Sequence, residues 1–266
     1  GWGAEVMNRD AHVVQAQEKL SERCSDCATL SYDLHIHSCL SPCGDDDMTP
    51  GNIVGMTAIK GLDVIAVTDH NSCKNCPAVM KLAAQYGILA IPGMELTTAE
   101  EVHAVCLFPE LSAALDFDRF VYEKLIKFPN REDIFGKQQI MNEEDICIGI
   151  EPNLLINSTT LSFDELWDIV DGQYGGVMIP AHIDKNANSL LSNLGFVPPE
   201  SQFRTVELHD MEKLSKLQKS NPYLTQCRTI CNSDAHYLEH IHEAEYTMAV
   251  KERSAAGVIA YLRGEL

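Results

Sequence analysis

The stretch Tyr32-Asp33-Leu34-His35-Ile36-His37-Ser38 decides our interpretation of the fold. It is typical of a short buried strand, and it ends in two histidines one residue apart. In an extended strand, residues i and i+2 point to the same face. His35 and His37 therefore point to one side and Ile36 to the other, so the strand end offers two imidazoles to one metal ion. Two surface histidines in a loop are the alternative interpretation.

Other apolar segments of the chain also end in metal-binding residue types. In parallel α/β folds, functional groups collect at the carboxyl ends of the strands. Asp234 and His236 repeat the i, i+2 spacing of the first pair. His103 lies at the start of its own strand, which must then run against the others or follow a tight turn from Glu95. The candidate metal ligands are His35, His37, His70, Glu95, His103, His182, Asp234 and His236.

Imidazole and carboxylate ligands together suit Zn, Mn or Fe and do not choose among these metals. The candidates outnumber the ligands that one tetrahedral ion uses. We therefore expect at least two divalent ions, with Glu95 as a carboxylate able to bridge two of them. Two ions about 3.5–4 Å apart can hold both reacting oxygens of an in-line displacement at phosphorus.

The composition bears on the class of protein. A chain of 266 residues can bury one large core. Its formal net charge of 20 − 39 = −19 makes long nucleic acid an unfavourable partner. A small phosphorylated substrate remains compatible, because bound divalent cations supply local positive charge. No apolar run approaches the ~20 residues needed to span a bilayer, and the first residues do not resemble a signal peptide. We expect a cytoplasmic protein with no membrane partner.

The coarse element pattern is strand then helix, repeated, which predicts a parallel α/β architecture. Residues 1–30 are polar and are predicted to be an N-terminal appendage with a helix over Ala11–Leu20. Residues 31–266 then form one catalytic domain, because no convincing linker follows residue 30.

Helix starts are marked by capping residues. Thr49 is a predicted N-cap with Pro50 at the first helical position. Ser162 and Glu165 have the spacing of a capping box at the start of another helix. The region Arg131–Cys147 is also predicted to be helical.

Ten cysteines is a high number for a protein of a reducing compartment. Close pairs in such a protein favour metal binding or redox chemistry. One hypothesis is a four-thiolate zinc or iron–sulfur site that joins the second and third pairs, and the alternative is reduced thiols in two loops. The close pairs are Cys24/Cys27, Cys39/Cys43 and Cys73/Cys76.

Lys185 follows His182 by three residues. It could reach a substrate phosphate as a point charge. A solvated loop lysine is the alternative interpretation.

Several short motifs, taken in order along the chain, resemble those of the PHP (polymerase and histidinol phosphatase) superfamily. The resemblance covers about residues 31–250 and implies a distorted (β/α)7 barrel with a di- or trinuclear metal centre that hydrolyses phosphoric ester bonds. The motifs are Asp33-x-His35-x-His37, Thr68-Asp69-His70, Gly93-x-Glu95, Pro180-x-His182 and Ser233-Asp234-x-His236.

The resemblance also implies a ligand set for each ion. The third ion usually has a further ligand shortly after the second histidine of the first motif, where this chain has Pro42 and Cys43. Cys43 or one of residues 45–47 would have to replace it. Asp33 and Asp69 resemble residues that orient metal-bound imidazoles. The implied sets are His35, His37, Glu95 and Asp234 for the first ion, Glu95, His103 and His182 for the second, and His70 and His236 for the third.

These observations predict a hydrolase that acts on a small phosphomonoester or a nucleotide through hydroxide held by the metals. The residues expected to take part directly are Glu95, Asp234 and Lys185. A nuclease acting on short oligonucleotides is a second hypothesis. A non-catalytic redox or metal-binding protein that uses the close cysteine pairs is a third.

Overall fold

Helices and strands alternate in a mixed α/β fold in the computed structural model, which describes residues 27–265. The predicted helix Ala11–Leu20 and Cys24 lie outside the described residues, as does most of the predicted appendage. The first strand begins at Ala28, inside the segment 1–30. Within residues 27–265, none of the helices combines the length and the apolar character needed to cross a bilayer.

The strands of residues 27–265 are β1 (Ala28–Ile36), β2 (Val64–Val67), β3 (Leu89–Ala90), β4 (Gly93–Thr97), β5 (His103–Leu107), β6 (Gln139–Met141), β7 (Cys147–Ile150), β8 (Val177–Pro180), β9 (Thr205–Leu208), β10 (Arg228–Cys231) and β11 (Thr247–Val250). The α-helices are α1 (Pro50–Ile59), α2 (Cys76–Gln85), α3 (Leu111–Lys124), α4 (Glu132–Phe135), α5 (Phe163–Trp167), α6 (Leu190–Leu194), α7 (Leu214–Ser220) and α8 (Ala255–Leu262). A π-helix, Asp168–Gln173, continues α5.

The described strands form four sheets rather than one closed sheet. The first has the order β11-β1-β2-β3, in which β1, β2 and β3 are parallel and β11 is antiparallel. The second has the order β4-β5-β8, with β5 antiparallel to both neighbours. β9 pairs in parallel with β10, and β6 forms a hairpin with β7. The predicted parallel α/β architecture is therefore corrected to a mixed arrangement of parallel and antiparallel strands.

The reversed direction of β5 has a consequence for His103. This residue begins β5, whereas Glu95 lies in the antiparallel neighbour β4. The start of β5 thus meets the same edge as the ends of the parallel strands. Of the two arrangements expected for His103, a strand that runs against its neighbours or a tight turn from Glu95, the structure shows the first.

The predicted helix starts are confirmed. The Thr49 side chain accepts a hydrogen bond from the N–H of Asn52, and Pro50 is the first residue of α1. Ser162 and Glu165 form the expected capping box at the start of α5. Both satisfy N–H groups that a helix start leaves without partners.

The helix predicted over Arg131–Cys147 is wrong. Only α4 is helical there, and it ends before Gly136, whose φ of +75° is a backbone conformation that glycine adopts more readily than other residues. The β6–β7 hairpin follows instead. Ile146, Ile148 and Ile150 alternate with a period of two, which is the pattern of a strand.

Apolar side chains of helices and strands fill the interior on both sides of the β4-β5-β8 sheet. Phe203 is fully buried beside Phe163 and Tyr223, with ring centroids 6.2 and 5.2 Å away. A second cluster surrounds Leu34 and Val64 under β1 and β2. These clusters fix the strands whose ends carry the candidate ligands.

We expect Phe203→Ala to lower the free energy of unfolding by about 3–5 kcal/mol, because it leaves a cavity in a packed aromatic cluster. Urea unfolding followed by circular dichroism measures the change. Phe196→Ala is the matched control, since this side chain is 57% exposed, and its effect should stay within about 0.5 kcal/mol. Equal losses in the two variants would contradict the packing described here.

Candidate metal centre

The structure brings the eight predicted ligand residues together in one pocket. Most lie at or just beyond the end of a strand: β1 ends beside His35 and His37, β2 precedes His70, and β8 precedes His182, whereas Glu95 lies within β4. Isolated parallel bridges join Ile36 to Ala235 and His70 to Glu95. The backbone itself therefore holds the ends of separate sheets against one another at this pocket.

Glu95 lies at the centre of the pocket and is only 1% exposed. Its Oε1 atom lies 3.1 Å from His35 Nε2 and 3.1 Å from His37 Nε2. Its Oε2 atom lies 3.2 Å from His103 Nδ1 and 3.2 Å from His182 Nε2. The two oxygens of one carboxylate thus face two different pairs of imidazoles, which is the arrangement that a bridging ligand needs.

Asp234 and His236 complete the pocket on the side of His37. Asp234 Oδ1 lies 2.9 Å from His37 Nε2 and 3.2 Å from His35 Nε2. The His236 ring stacks on the His37 ring with centroids 4.2 Å apart. Asp234 has a φ of +53° and His182 a φ of +29°. Such backbone strain in residues other than glycine is characteristic of functional sites.

Three overlapping groups of side chains have ligand atoms within 4.8 Å of one another. The first group contains the same four residues as the first predicted ligand set. The second contains His70 where the prediction has His182, although His182 also faces Glu95. The third adds His37 to the predicted pair. The groups are His35/His37/Glu95/Asp234, His70/Glu95/His103 and His37/His70/His236.

These residues fit divalent ions in number and in chemistry. Within residues 27–265, the buried Nδ1 atom of His70 has no hydrogen-bond partner, although it lies 3.4 Å from Glu95 Oε1. A buried polar atom without a partner is costly, and a bound cation would remove that cost. Imidazoles and carboxylates are also the ligands that Zn, Mn and Fe accept.

The electrostatics of the pocket leave its imidazoles in different protonation states. Burial opposes a charge on His37, but Asp234 and Glu95 outweigh burial and raise its pKa to about 9. Burial, with repulsion from His37, lowers the pKa of His70 well below its ordinary value and that of His236 to about 4. His70 and His236 are therefore neutral near pH 7, which is the form of histidine that binds metals.

Glu207 on β9 is a functional residue that the sequence interpretation missed. Both of its carboxylate oxygens lie 2.9 Å from His35 Nδ1. Glu207 also accepts hydrogen bonds from the N–H of His182 at 2.9 Å and from Asn232 Nδ2 at 2.8 Å. Such carboxylates fix the orientation of imidazole ligands. An acidic residue inside the buried strand Thr205–Leu208 was the available signal.

The two predicted orienting aspartates act less directly than expected. Asp69 reaches His37 through Ser41, whose Oγ atom lies 2.8 Å from His37 Nδ1 and donates to Asp69 Oδ1 at 2.7 Å. Asp33 accepts hydrogen bonds from the backbone N–H groups of Ser233 and His242, both at 3.1 Å. Asp33 therefore holds the loop that carries Asp234.

The mouth of the pocket has a volume of about 440 Å³. Lys185 lies on its wall, with Nζ 3.0 Å from Asp234 Oδ2. Ile156 lies on the same pocket, as do residues 186–188. The side chain that was predicted to reach a phosphate is therefore next to the candidate ligands.

The four-thiolate hypothesis is wrong for the cysteines that the structure describes. Cys73 and Cys76 are buried in an apolar cluster with Cys106, whereas Cys43 is exposed. Cys39 is buried elsewhere, with Sγ 3.9 Å from the carbonyl oxygen of Gln139. In the described part of the chain, the groups of close ligand atoms include neither a cysteine nor any of residues 45–47. These residues therefore do not supply the missing ligand of the third ion.

Two curated proteins are similar to parts of this chain. Over 79 residues the chain is 34% identical to an uncharacterized protein of Methanocaldococcus jannaschii, which covers 27% of this chain and 46% of that protein. Over 104 residues it is 31% identical to a 5′-3′ exoribonuclease of Haemophilus influenzae, which covers 36% of this chain and 37% of that protein. Each match spans less than half of the curated relative.

Solved structures share the fold. The lesion-specific endonuclease PfuEndoQ of Pyrococcus furiosus superposes with a TM-score of 0.61 at 19% identity, over 89% of this chain and 56% of that chain. An amidohydrolase from Chromobacterium violaceum gives a TM-score of 0.53 at 15% identity, over 82% of this chain and 91% of that chain.

The family model described as the PHP domain matches residues 33–171. That range holds His35, His37, His70, Glu95 and His103, and the remaining candidate ligands follow it in the chain and meet them in the pocket. This chain belongs to the PHP domain family.

Proposed function

We propose that this protein is a metal-dependent hydrolase of phosphoric ester bonds. The observation that supports the proposal most is the position of Glu95, whose two oxygens face separate pairs of imidazoles. Two or three divalent ions, Zn, Mn or Fe, would neutralise the charge that develops on a phosphoryl group during hydrolysis. Membership of the PHP domain family agrees with this chemistry.

The assignment of ligands follows the resemblance and the distances. Glu95 would be shared between the first and second ions, and His37 lies close enough to serve the third set as well. The proposed sets are His35, His37, Glu95 and Asp234; then Glu95, His103 and His182; then His70 and His236.

Lys185 would hold the substrate. Its ammonium group lies beside Asp234 and points into the pocket, where it can donate N–H groups to phosphoryl oxygens. Glu207 and Ser41 would keep the imidazoles of His35 and His37 in place during the reaction.

We further propose that the sheets wrap into the distorted (β/α)7 barrel that the resemblance implies. The isolated parallel bridges support this, because Ala235, which follows β10, pairs with Ile36 of β1, and His70, which follows β2, pairs with Glu95 of β4. The division into an appendage of residues 1–30 and a domain of residues 31–266 stays a prediction, and so does a cytoplasmic location.

A small phosphomonoester or a nucleotide is the substrate that we favour. The pocket mouth is about 440 Å³ and Lys185 is the cation on its described lining. A net charge of −19 disfavours long nucleic acid. A nuclease acting on short oligonucleotides is the second candidate, and the 5′-3′ exoribonuclease of Haemophilus influenzae favours it.

Glu95→Gln should lower kcat/KM for phosphoester hydrolysis by more than about 10²-fold, because it removes a charge that stabilises the reaction centre. Release of inorganic phosphate from a panel of phosphomonoesters measures the loss. Glu123→Gln, at an exposed position of α3, is the matched control. Removal of metal with a chelator should abolish activity in both the parent and the control, and added Mn or Zn should restore it. Unaltered turnover by Glu95→Gln with cooperative unfolding would refute the proposal.

The two substrate candidates are separated by offering a nucleoside monophosphate and a short 5′-phosphorylated RNA to the metal-loaded protein. Release of free phosphate from the monoester supports the favoured class. Stepwise shortening of the RNA, with little phosphate release from the monoester, would support the exonuclease instead.

Glu207→Gln should weaken metal binding by about 10–100-fold, because it removes the negative charge that orients His35 and raises its basicity. Calorimetric titration of the metal-free protein with Zn or Mn measures the affinity. The control is Glu200→Gln, at an exposed position outside the pocket. An affinity equal to that of the control would show that Glu207 does not support the proposed centre.

A further inference from the structure

Ile156 is an apolar side chain on the wall of a polar pocket. Its neighbour Leu155 is fully buried and packs with Leu40 and Leu125. Ile156 itself is half-buried and belongs to none of the apolar clusters of the described chain. The chain thus directs one of two adjacent apolar residues into the core and the other to the pocket.

Asn71 fixes the position of that wall. Its Nδ2 atom donates to the carbonyl oxygens of Leu155 at 2.8 Å and Asn157 at 2.9 Å. Its Oδ1 atom accepts from the N–H of Thr97 at 3.0 Å, and its own N–H donates to the carbonyl of Glu95 at 2.9 Å. Both donor hydrogens of the amide are in use. One buried side chain therefore ties the segment of Ile156 to the strand of Glu95.

The backbone of Asn71 explains why an asparagine suits this position. Its φ is +49°, in the left-handed region that asparagine tolerates better than most residues. Asn71 directly follows His70 in the chain. A candidate metal ligand and the residue that anchors the segment of Ile156 are therefore adjacent. The hydrogen bonds of Asn71 set the distance between the strand of Glu95 and Ile156.

Other residues on the lining of this pocket are polar. Lys185 lies there beside Asp234, and Asn186 and Asn188 are exposed on the same loop. Neither asparagine side chain has a hydrogen-bond partner within residues 27–265. A phosphoryl group held by Lys185 would leave the alcohol part of the ester in the pocket that these amides and Ile156 line. One face of that group would be apolar and its edges would meet hydrogen-bonding groups.

We propose that Ile156, positioned by Asn71, selects esters whose alcohol carries a ring with polar edges, such as a nucleoside, over esters of short acyclic alcohols. The inference rests on the proposed function and assigns a specificity role at the same site. Ile156 would contact the flat face of the ring, and Asn71 acts through it as a positioning residue.

The test compares adenosine 5′-monophosphate with glycerol phosphate as substrates of the metal-loaded protein. Ile156→Ala should raise KM for adenosine monophosphate about tenfold, because an apolar contact of this size discriminates by that order. KM for glycerol phosphate and kcat for both esters should change less than about twofold, since the metal centre and Lys185 are untouched.

Asn71→Gly should also raise KM for adenosine monophosphate, because the side-chain hydrogen bonds that position Ile156 are lost. Glycine accepts the left-handed backbone at this position without strain. Ile148→Ala is the matched control, since Ile148 is 64% exposed on β7 and does not line the pocket. It should leave both KM values unchanged. A merely structural role of Asn71 would affect the two esters alike.

Two results would overturn the inference: a change in KM of the same size for both esters in Ile156→Ala, or no change for either. Hydrolysis of glycerol phosphate but not of adenosine monophosphate by the parent protein would overturn it as well. Hydrolysis of neither ester by the metal-loaded parent would overturn this inference, and the proposed function would be overturned as well if the parent also failed on the wider phosphomonoester panel and on the short RNA.

Discussion

A carboxylate buried among imidazoles is the constraint on which this structure depends. Glu95 is almost inaccessible to water, and a buried charge is tolerated only when it is paired and hydrogen-bonded. Burial raises the pKa of Glu95, but His35 and then His103 outweigh burial and hold it well below its ordinary value. The strands that supply these histidines must therefore meet at one edge. The antiparallel direction of β5 and the bridge between His70 and Glu95 are the means by which they do so.

Much of the pocket could be predicted from the sequence because its geometry is local. The i, i+2 spacing fixes a shared face in any extended strand, so His35 and His37 needed no knowledge of the fold. The N-cap roles of Thr49 and Ser162 could be predicted equally well, since the hydrogen bonds of a helix cap join residues within four positions of one another. The direction of the His103 strand was limited to two options, and one of them is observed.

The remaining features depend on contacts between distant parts of the chain. Glu207 meets His35 across 172 residues, and Asn71 meets Leu155 across 84. Neither spacing leaves a periodic signal. The cysteine pairs were misleading for the opposite reason: they are close in sequence, but the core takes up Cys73 and Cys76 while Cys43 faces solvent. Between Arg131 and Cys147, turn residues and alternating isoleucines outweighed the helical spacing.

Lys185 and Asp234 form an ion pair in the pocket. Binding of a cation to Asp234 and binding of an anion to Lys185 would therefore affect each other. A cation held by Asp234 would draw this carboxylate away from the ammonium group of Lys185 and leave the ammonium group free for an anion. An anion that engages Lys185 in turn releases Asp234 toward the cation. Thermodynamic linkage then requires that each bound partner raise the binding affinity for the other by the same factor. Metal and phosphate would therefore stabilise each other in the pocket, whichever of them binds first.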